Sequence, residues 1–162
     1  MFRPMRRFKQ QLNQEESWAV LERGTSGVLA LAGDGGYPYA VPISYALDGD
    51  RLIFHCAKSG HKLDAIARCP KASFCVIDQD QVAPEKFTTY FRSVIAFGVI
   101  RVLEGEAALA AAHKLAARYC PQDDGSARAR EIADSQGRLC VLEMKIEHMT
   151  GKQAKEMMGN KA

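Results

Sequence analysis

The stretch of sequence that decides the fold is LIFHCAKSGHKL, residues Leu52–Leu63. Its apolar first part, Leu52–Phe54, is typical of a buried strand, and the apolar residues from Leu63 to Pro70 recur at helical spacing. Between the two parts, a pair of lysines, an imidazole and a hydroxyl surround Gly60. The stretch therefore predicts a strand, a short cationic turn and the first turn of a helix.

The cationic turn is a candidate site for an anion. The first backbone N–H groups of a helix have no partner within it and carry partial positive charge, which favours phosphate. Ser59 is the expected N-cap, and Gly60 would let a ligand approach the backbone closely. The residue types alone leave two interpretations open, a phosphate-binding turn and a solvated loop with ordinary surface lysines.

Length and composition predict one globular domain that spans residues 1–162. The chain is 47% hydrophobic and 25% charged, which is typical of a soluble domain. We expect the basic arm at residues 1–12 and the polar tail at residues 153–162 to be loose. The net charge of +3 is too small to indicate a nucleic-acid partner, although basic residues cluster in the arm.

Several classes of protein are disfavoured by what the sequence lacks. No apolar run approaches the roughly 18 residues of a membrane span, and the N-terminus lacks the apolar segment of a signal peptide. A cytoplasmic location is therefore expected. The five cysteines include no Cys-x-x-Cys pair and indicate free thiols. No histidines or carboxylates fall at ligand spacing, so we expect no metal site.

Periodicity and turn residues predict a mainly β protein. The expected strands cover residues 27–32, 37–47, 52–57, 71–78, 88–104 and 138–148. The expected helices cover residues 14–23, 106–119 and 126–134, with a short one after Lys62. Residues 79–86 are expected to form a loop and Thr150–Lys152 a turn. Because most connections are short, these elements predict a six-stranded antiparallel barrel with peripheral helices, not a doubly wound parallel sheet.

One charged residue stands out in the longest predicted strand. Tyr90, Arg92, Val94 and Ala96 share one face of this strand, so Arg92 points the same way as apolar neighbours. A guanidinium in such a setting usually has an anionic partner. That partner is either a carboxylate of the same protein or a group from a ligand or second subunit. Gly98 in the same strand indicates a bend.

The chain resembles the pyridoxamine 5′-phosphate oxidase-like FMN-binding split barrels, and most closely the nitroimidazole-resistance type of flavoprotein. The resemblance extends from about Met5 to Lys152 and rests on the order and spacing of several segments. These segments are Tyr39–Tyr45, Phe54–Leu63, Lys62–Asp64 followed by Pro70, Tyr90–Gly98 and Thr150–Lys152.

The resemblance implies a homodimer with an FMN molecule at each of two sites between the subunits. By position, the FMN phosphate would be bound by Lys58, Ser59, His61 and Lys62. The ribityl chain and ring would lie beside His55, Cys56 and Ala57. The isoalloxazine would be bordered by Val41, Pro42, Ile43 and Ser44. The second subunit would contribute Arg92, Ser93 and Val94, and the C-terminal turn would add Lys152.

The same resemblance implies an FMN-dependent oxidoreductase that reduces small electron-poor aromatics such as nitroimidazoles. Its acceptor would be a small molecule, and NADH or NADPH is the candidate donor. His55 is the candidate catalytic residue, as proton donor or substrate contact, because imidazole titrates near neutrality. A wall residue that only forms hydrogen bonds is the alternative. Cys56 is either redox-active or a small packing residue.

Two departures limit what the resemblance implies. Lys58-Ser59 replaces the Arg-Lys pair of the pyridoxal-phosphate-forming oxidases, which argues against oxidation of pyridoxamine phosphate. The chain also lacks a Gly-x-Gly-x-x-Gly loop, so a nicotinamide donor would not bind in the Rossmann manner. The alternatives are a non-catalytic flavin module for storage or sensing, an oxidase of another substrate, and a pocket for haem or a deazaflavin.

Overall fold

A computed structural model describes residues 1–123, 125–135 and 137–158 of the protein. Its helices are α1 (Gln14–Arg23), α2 (His61–Arg68), α3 (Gly105–Tyr119) and α4 (Ser126–Ser135). Its strands are β1 (Ser26–Ala32), β2 (Pro38–Ser44), β3 (Ala46–Asp48), β4 (Arg51–Ala57), β5 (Lys71–Ala83), β6 (Thr88–Leu103) and β7 (Leu139–Gln153). Short 3₁₀ turns lie at Phe8–Gln10, Asp34–Gly36, Pro84–Lys86 and Lys155–Met157.

The strands form one antiparallel sheet in the order β2-β1-β5-β6-β7-β4-β3. β2 and β3 lie at its two opposite edges, yet Tyr45 alone separates them in the chain. The sheet must therefore curl until its edges meet. This confirms the expected antiparallel barrel with peripheral helices. The described residues contain seven strands, not six, because the strand expected at residues 37–47 divides at Tyr45 into two edge strands.

The opening stretch begins as a strand that is buried on both faces. Leu52 and Phe54 are fully buried and belong to the core inside the barrel, with Phe74. Ile53 points the other way and packs with Leu115 of α3 on the outside of the sheet. The apolar run of β4 thus reflects an inner core on one side and a covering helix on the other.

α1 and α2 pack against the inner core, whereas α3 covers the sheet from outside, and α1 begins where the sequence predicted. Asn13 and Glu16 form a capping box, with reciprocal backbone-to-side-chain hydrogen bonds of 2.8 Å. Alanine-rich α3 buries Ala111 and Leu115 against the sheet. None of the described helices combines the length and apolarity needed to cross a bilayer.

Two expected boundaries are wrong, and both strands concerned are longer than predicted. β5 continues to Ala83, so the loop expected at residues 79–86 shrinks to the 3₁₀ turn Pro84–Lys86. β7 continues through Thr150–Lys152, where Ser93 of β6 lies opposite Lys152, so no turn forms there. Both segments have polar side chains, so the sequence pattern did not predict a strand. Their backbone groups nevertheless form hydrogen bonds with β6.

Gly98 lies at an irregularity in the long strand β6, where the sequence predicted a bend. Phe97 lies opposite His148 and Gly98 opposite Ile146, so β7 carries one extra residue there. A Cβ atom added to Gly98 would lie 1.9 Å from the carbonyl oxygen of Lys145. Only glycine allows the two backbones to approach so closely.

Parts of both terminal segments contact the barrel. The Leu12 side chain is 4% exposed, and its N–H donates to the carbonyl oxygen of Gly151 at 2.9 Å. The Phe2 ring stacks on His148, with 4.5 Å between the ring centroids. Ala154, 2% exposed, donates its N–H to Phe91 at 2.9 Å. The expected loose ends therefore do not include Leu12 or Ala154, and residues 159–162 lie outside the described residues.

Candidate functional site

The cationic turn connects β4 to α2, as the opening stretch predicted. Gly60, not Ser59, is the N-cap, and its φ of 124° is a conformation that favours glycine. The N–H groups of Leu63 and Asp64 both donate to the carbonyl oxygen of Gly60, at 2.9 and 3.2 Å. No described group accepts from the N–H of His61 or Lys62. Two backbone donors are therefore available at the start of α2.

An open groove of about 190 Å³ lies beside this turn. Its walls come from β2, the end of β4 and the first residues of α2. They are Tyr39, Cys56, Ala57, Ser59, Gly60, His61, Lys62 and Leu63. None of these residues is acidic, and the polar ones offer hydroxyl, N–H and ammonium donors. The groove therefore has the donor chemistry required for an anion.

The His61 side chain forms one wall of the groove and already has partners. Its ring stacks on Tyr39 with 4.1 Å between centroids, and its Nε2 lies 3.3 Å from Asp34 Oδ2. The same carboxylate pairs with Arg68 at 2.7 Å. Sequence reasoning missed Tyr39 as a wall residue, although it alternates in β2 with Val41 and Ile43, which pack against the core.

The two candidate chemical residues of β4 lie on opposite faces of the strand. Cys56 packs against the inner core and lines the groove, whereas His55 is exposed and does not line it. Desolvation by surrounding protein atoms lowers the pKa of His55, and the Lys62 ammonium lowers it further. The neutral form of His55 is therefore favoured over the protonated form more strongly than in a free imidazole.

The expected ring-binding segment lies at an edge of the sheet. Among the described residues, β2 pairs only with β1, so its other backbone edge has no strand partner. Val41 and Ile43 are half-buried against the core, while Pro42 and Ser44 are exposed. This arrangement provides the unpaired backbone that the sequence indicated around Pro42.

Arg92 has a carboxylate partner in its own chain. Its Nη1 donates to Asp78 Oδ2 at 3.2 Å, and its Nε donates to Gln153 Oε1 at 2.9 Å. Val94 is fully buried on the same face, as the alternation predicted. Of the two kinds of partner left open by the sequence, the fold supplies a protein carboxylate.

The expected site residues form two groups that are apart within one chain. Along β7, Val141 lies opposite His55, whereas Lys152 lies opposite Ser93. Val141 and Lys152 are near opposite ends of this long strand. The cationic turn and the group formed by Arg92, Ser93 and Lys152 are therefore not brought together by a single chain.

These features define the class: an antiparallel split barrel with a cationic strand-to-helix turn at its mouth. The family model described as pyridoxamine 5′-phosphate oxidase matches residues 13–153. The chain belongs to the pyridoxamine 5′-phosphate oxidase family. A comparison with curated proteins found no match.

Solved structures share the fold at low sequence identity. A proposed 5-nitroimidazole antibiotic resistance protein from Bacteroides thetaiotaomicron is 16% identical with a TM-score of 0.74, covering 88% of this chain and 86% of the other. The FAD and heme binding protein from Mycobacterium smegmatis is 24% identical with a TM-score of 0.73, covering 90% and 73%. An FAD-binding protein from Mesorhizobium loti is 21% identical with a TM-score of 0.61, covering 89% and 96%. They confirm the split-barrel fold.

Proposed function

We propose that this protein is an FMN-binding oxidoreductase that reduces small electron-poor aromatics, such as nitroaromatic compounds, and acts as a homodimer. The observation that carries the proposal is the cationic turn, where Lys62 and two N–H groups without a described acceptor lie at an open groove, with Lys58 in the same turn. Membership of the pyridoxamine 5′-phosphate oxidase family supports the interpretation that the anion bound at this turn is the phosphate of a flavin.

The residues at the turn fit a phosphate monoester. Such a group carries a charge of about −1.5 to −2 near neutrality and has three acceptor oxygens. Lys58 and Lys62 would supply ammonium charge, Ser59 a hydroxyl, and the start of α2 two backbone N–H groups. His61 would contribute mainly its backbone N–H, because its ring pairs with Asp34 and Tyr39.

The ring of the cofactor would extend from the turn along the end of β4. Cys56 and Ala57 form the wall there, and the free edge of β2 offers backbone groups for a planar heterocycle. When bound, the flavin supplies the electron-transfer chemistry, and the protein supplies binding and orientation. His55 does not line the groove, so its proposed role as proton donor or substrate contact would depend on a substrate that reaches the opposite face of β4.

A second copy of the chain would bring the two groups of site residues together. Ile77 of β5 and Ile95 of β6 are 65% and 37% exposed on the outer face that also carries Ser93 and Lys152. Covering this apolar patch with the same patch of a twofold-related copy would remove it from water. Ser93 and Lys152 of one subunit would then lie beside the cationic turn of the other. Arg92, on the opposite face of β6, would have to exchange Asp78 for the flavin to take part.

FAD is a second candidate cofactor, because two of the similar structures are described as FAD-binding proteins. The same turn would serve a pyrophosphate as well as a monoester. The substrate class is suggested by the likeness to the proposed nitroimidazole resistance protein. A cytoplasmic location agrees with the five free cysteines.

Titration of the purified protein with FMN and with FAD, followed by flavin fluorescence, tests the cofactor. We expect the protein to quench the fluorescence of FMN at a lower concentration than that of FAD. Tighter binding of FAD would show that FAD, not FMN, is the cofactor. The loaded protein is then assayed for oxidation of NADH and NADPH with a nitroaromatic acceptor. Flavin binding without turnover would reject the reductase and favour a storage or sensing module.

A further inference from the structure

Two cysteines far apart in sequence lie directly opposite each other in the sheet. Cys56 of β4 and Cys140 of β7 are register partners in an antiparallel pair. Side chains of such partners leave the same face of the sheet, with Cβ atoms about 4.5–5.5 Å apart. Both side chains are partly buried against the inner core, and the Cys140 thiol is near enough to raise the pKa of the Cys56 thiol.

This arrangement already meets the main geometric condition for a disulfide. Directly opposed residues of an antiparallel pair have Cα atoms about 4.5–5.5 Å apart, and disulfides span about 4.4–6.8 Å. The Cβ atoms of a disulfide lie about 3.5–4.5 Å apart, so β4 and β7 need only a small local approach to join the two sulfur atoms. Cys75, by contrast, lies opposite Val28 and Ile95, so the register gives it no cysteine partner.

We propose that Cys56 and Cys140 form a reversible disulfide, a two-electron redox site at the wall of the groove. A low-molecular-weight disulfide is the oxidant. The Cys56 thiolate attacks one sulfur of this oxidant, which releases one small thiol and leaves a mixed disulfide. Cys140 then attacks the Cys56 sulfur and releases the second small thiol. Two protein thiols are oxidised, and the small disulfide is reduced to two thiols.

Access and acidity set the rate of this reaction. Cys56 lines the open groove, so a small oxidant can approach this residue from solvent. Burial raises the pKa of the Cys56 thiol to about 11, helped by Cys140 and opposed by the Lys62 ammonium. Because the thiolate is the attacking species, oxidation should be slow near neutrality and should accelerate as the pH rises.

The bond would connect β4 to β7 just before the cationic turn begins. Ala57 follows Cys56 directly and lines the same groove. The redox state of the pair would therefore change the rigidity of the groove wall. The reaction needs no flavin, so it can be tested on the purified chain independently of the proposed function.

The test is oxidation of the reduced full chain with oxidised glutathione at about pH 7 and about pH 9, followed by non-reducing peptide mapping. We expect a peptide pair joined through Cys56 and Cys140, formed faster at the higher pH and cleaved by dithiothreitol. Free thiols at both positions after exposed Cys120 has reacted would overturn the proposal. So would a persistent glutathione adduct on Cys56 with Cys140 free.

Variants separate this pair from the remaining thiols. Cys56→Ser and Cys140→Ser should each abolish the joined peptide, while Cys75→Ser should retain it. Since the wild-type map alone can reject the proposal, a serine variant that fails to fold does not weaken the test.

Discussion

Arg92 and Asp78 form an ion pair that connects strand β6 to strand β5, with 3.2 Å between Nη1 and Oδ2. The same carboxylate accepts two hydrogen bonds of 2.6 Å from Arg23 at the end of α1. Asp78 is only 11% exposed, so its charge is largely removed from solvent. One carboxylate thus connects the first helix to the long central hairpin.

Asp78→Asn should lower the free energy of unfolding by about 2 kcal/mol, because charge-assisted hydrogen bonds contribute about 1.5–3 kcal/mol. The hydrogen bond from Arg23 is the main cause of the lowered pKa of Asp78. Its stabilisation is therefore present above the unfolded-state pKa and is lost as the pH falls through the folded-state pKa. Urea titrations across the acid range measure both effects.

Asp80→Asn is the matched control, since Asp80 is exposed on the same strand. Its stability should follow that of the wild type at every pH. Equal losses in the two variants would show that Asp78 does not stabilise the fold through its arginine partners.

Arg92→Ala should weaken both FMN binding and the dimer, because Arg92 is proposed to reach the flavin of the second subunit. Its loss also leaves Asp78 with Arg23 alone, so stability falls as well. Size-exclusion chromatography with flavin titration separates the two effects. A stable FMN-bound monomer would contradict the proposal, as would an equal loss of FMN affinity in Asp78→Asn.

Lys58→Ala and Lys62→Ala should each weaken FMN binding by about ten- to a hundredfold, equivalent to about 1.5–3 kcal/mol for a charge-assisted hydrogen bond. Each loss should shrink at high salt, because salt screens exposed charges. Lys71→Ala is the control, an exposed lysine at the start of β5. If both variants bound FMN with unchanged affinity, the FMN phosphate would not be bound by this turn.

Gly98→Ala should lower the free energy of unfolding by about 3 kcal/mol, at the upper end of overpacking effects. The added methyl carbon would lie 1.9 Å from the Lys145 carbonyl oxygen, so β6 and β7 must separate. Gly137→Ala is the control because its added carbon meets no atom within 4 Å. Thermal or chemical denaturation compares the two, and similar stabilities would show that the backbones separate at little cost.

His55 should make the protein less stable as the pH falls below its unfolded-state pKa of about 6.5. The lowered pKa of His55, caused first by desolvation and then by Lys62, means that the unfolded chain binds the proton more tightly. His55→Gln removes this titration while keeping a polar side chain. The stability of the wild type relative to the variant should therefore decrease from pH 7 towards pH 5. An increase would show that folding raises, and does not lower, the pKa of His55.

The sequence pattern correctly predicted the features that depend only on residues close together in the chain. The capping box at Asn13, the strand-to-helix turn at Gly60 and the shared face of Arg92 and Val94 all follow from neighbouring residues. The resemblance to the FMN-binding split barrels, not the local pattern, placed Cys56 beside the cofactor, and this residue lines the groove.

Features that depend on distant pairing could not be predicted in this way. The division of a strand at Tyr45 follows from closure of the sheet, and the extension of β7 through Thr150 depends on its partners in β6. The contact of His61 with Asp34 joins two turns separated in sequence. The register of Cys56 with Cys140 has no local signal, because both residues look like ordinary apolar strand positions.

The strand order also has a consequence for how the chain folds during synthesis. β1 and β2 can pair as soon as they emerge, but β4 gains its second neighbour only with β7, the last strand. Until then the β3–β4 hairpin presents an open edge, which is a hazard for aggregation. Because the closing contacts join residues far apart in sequence, the final step should be slow.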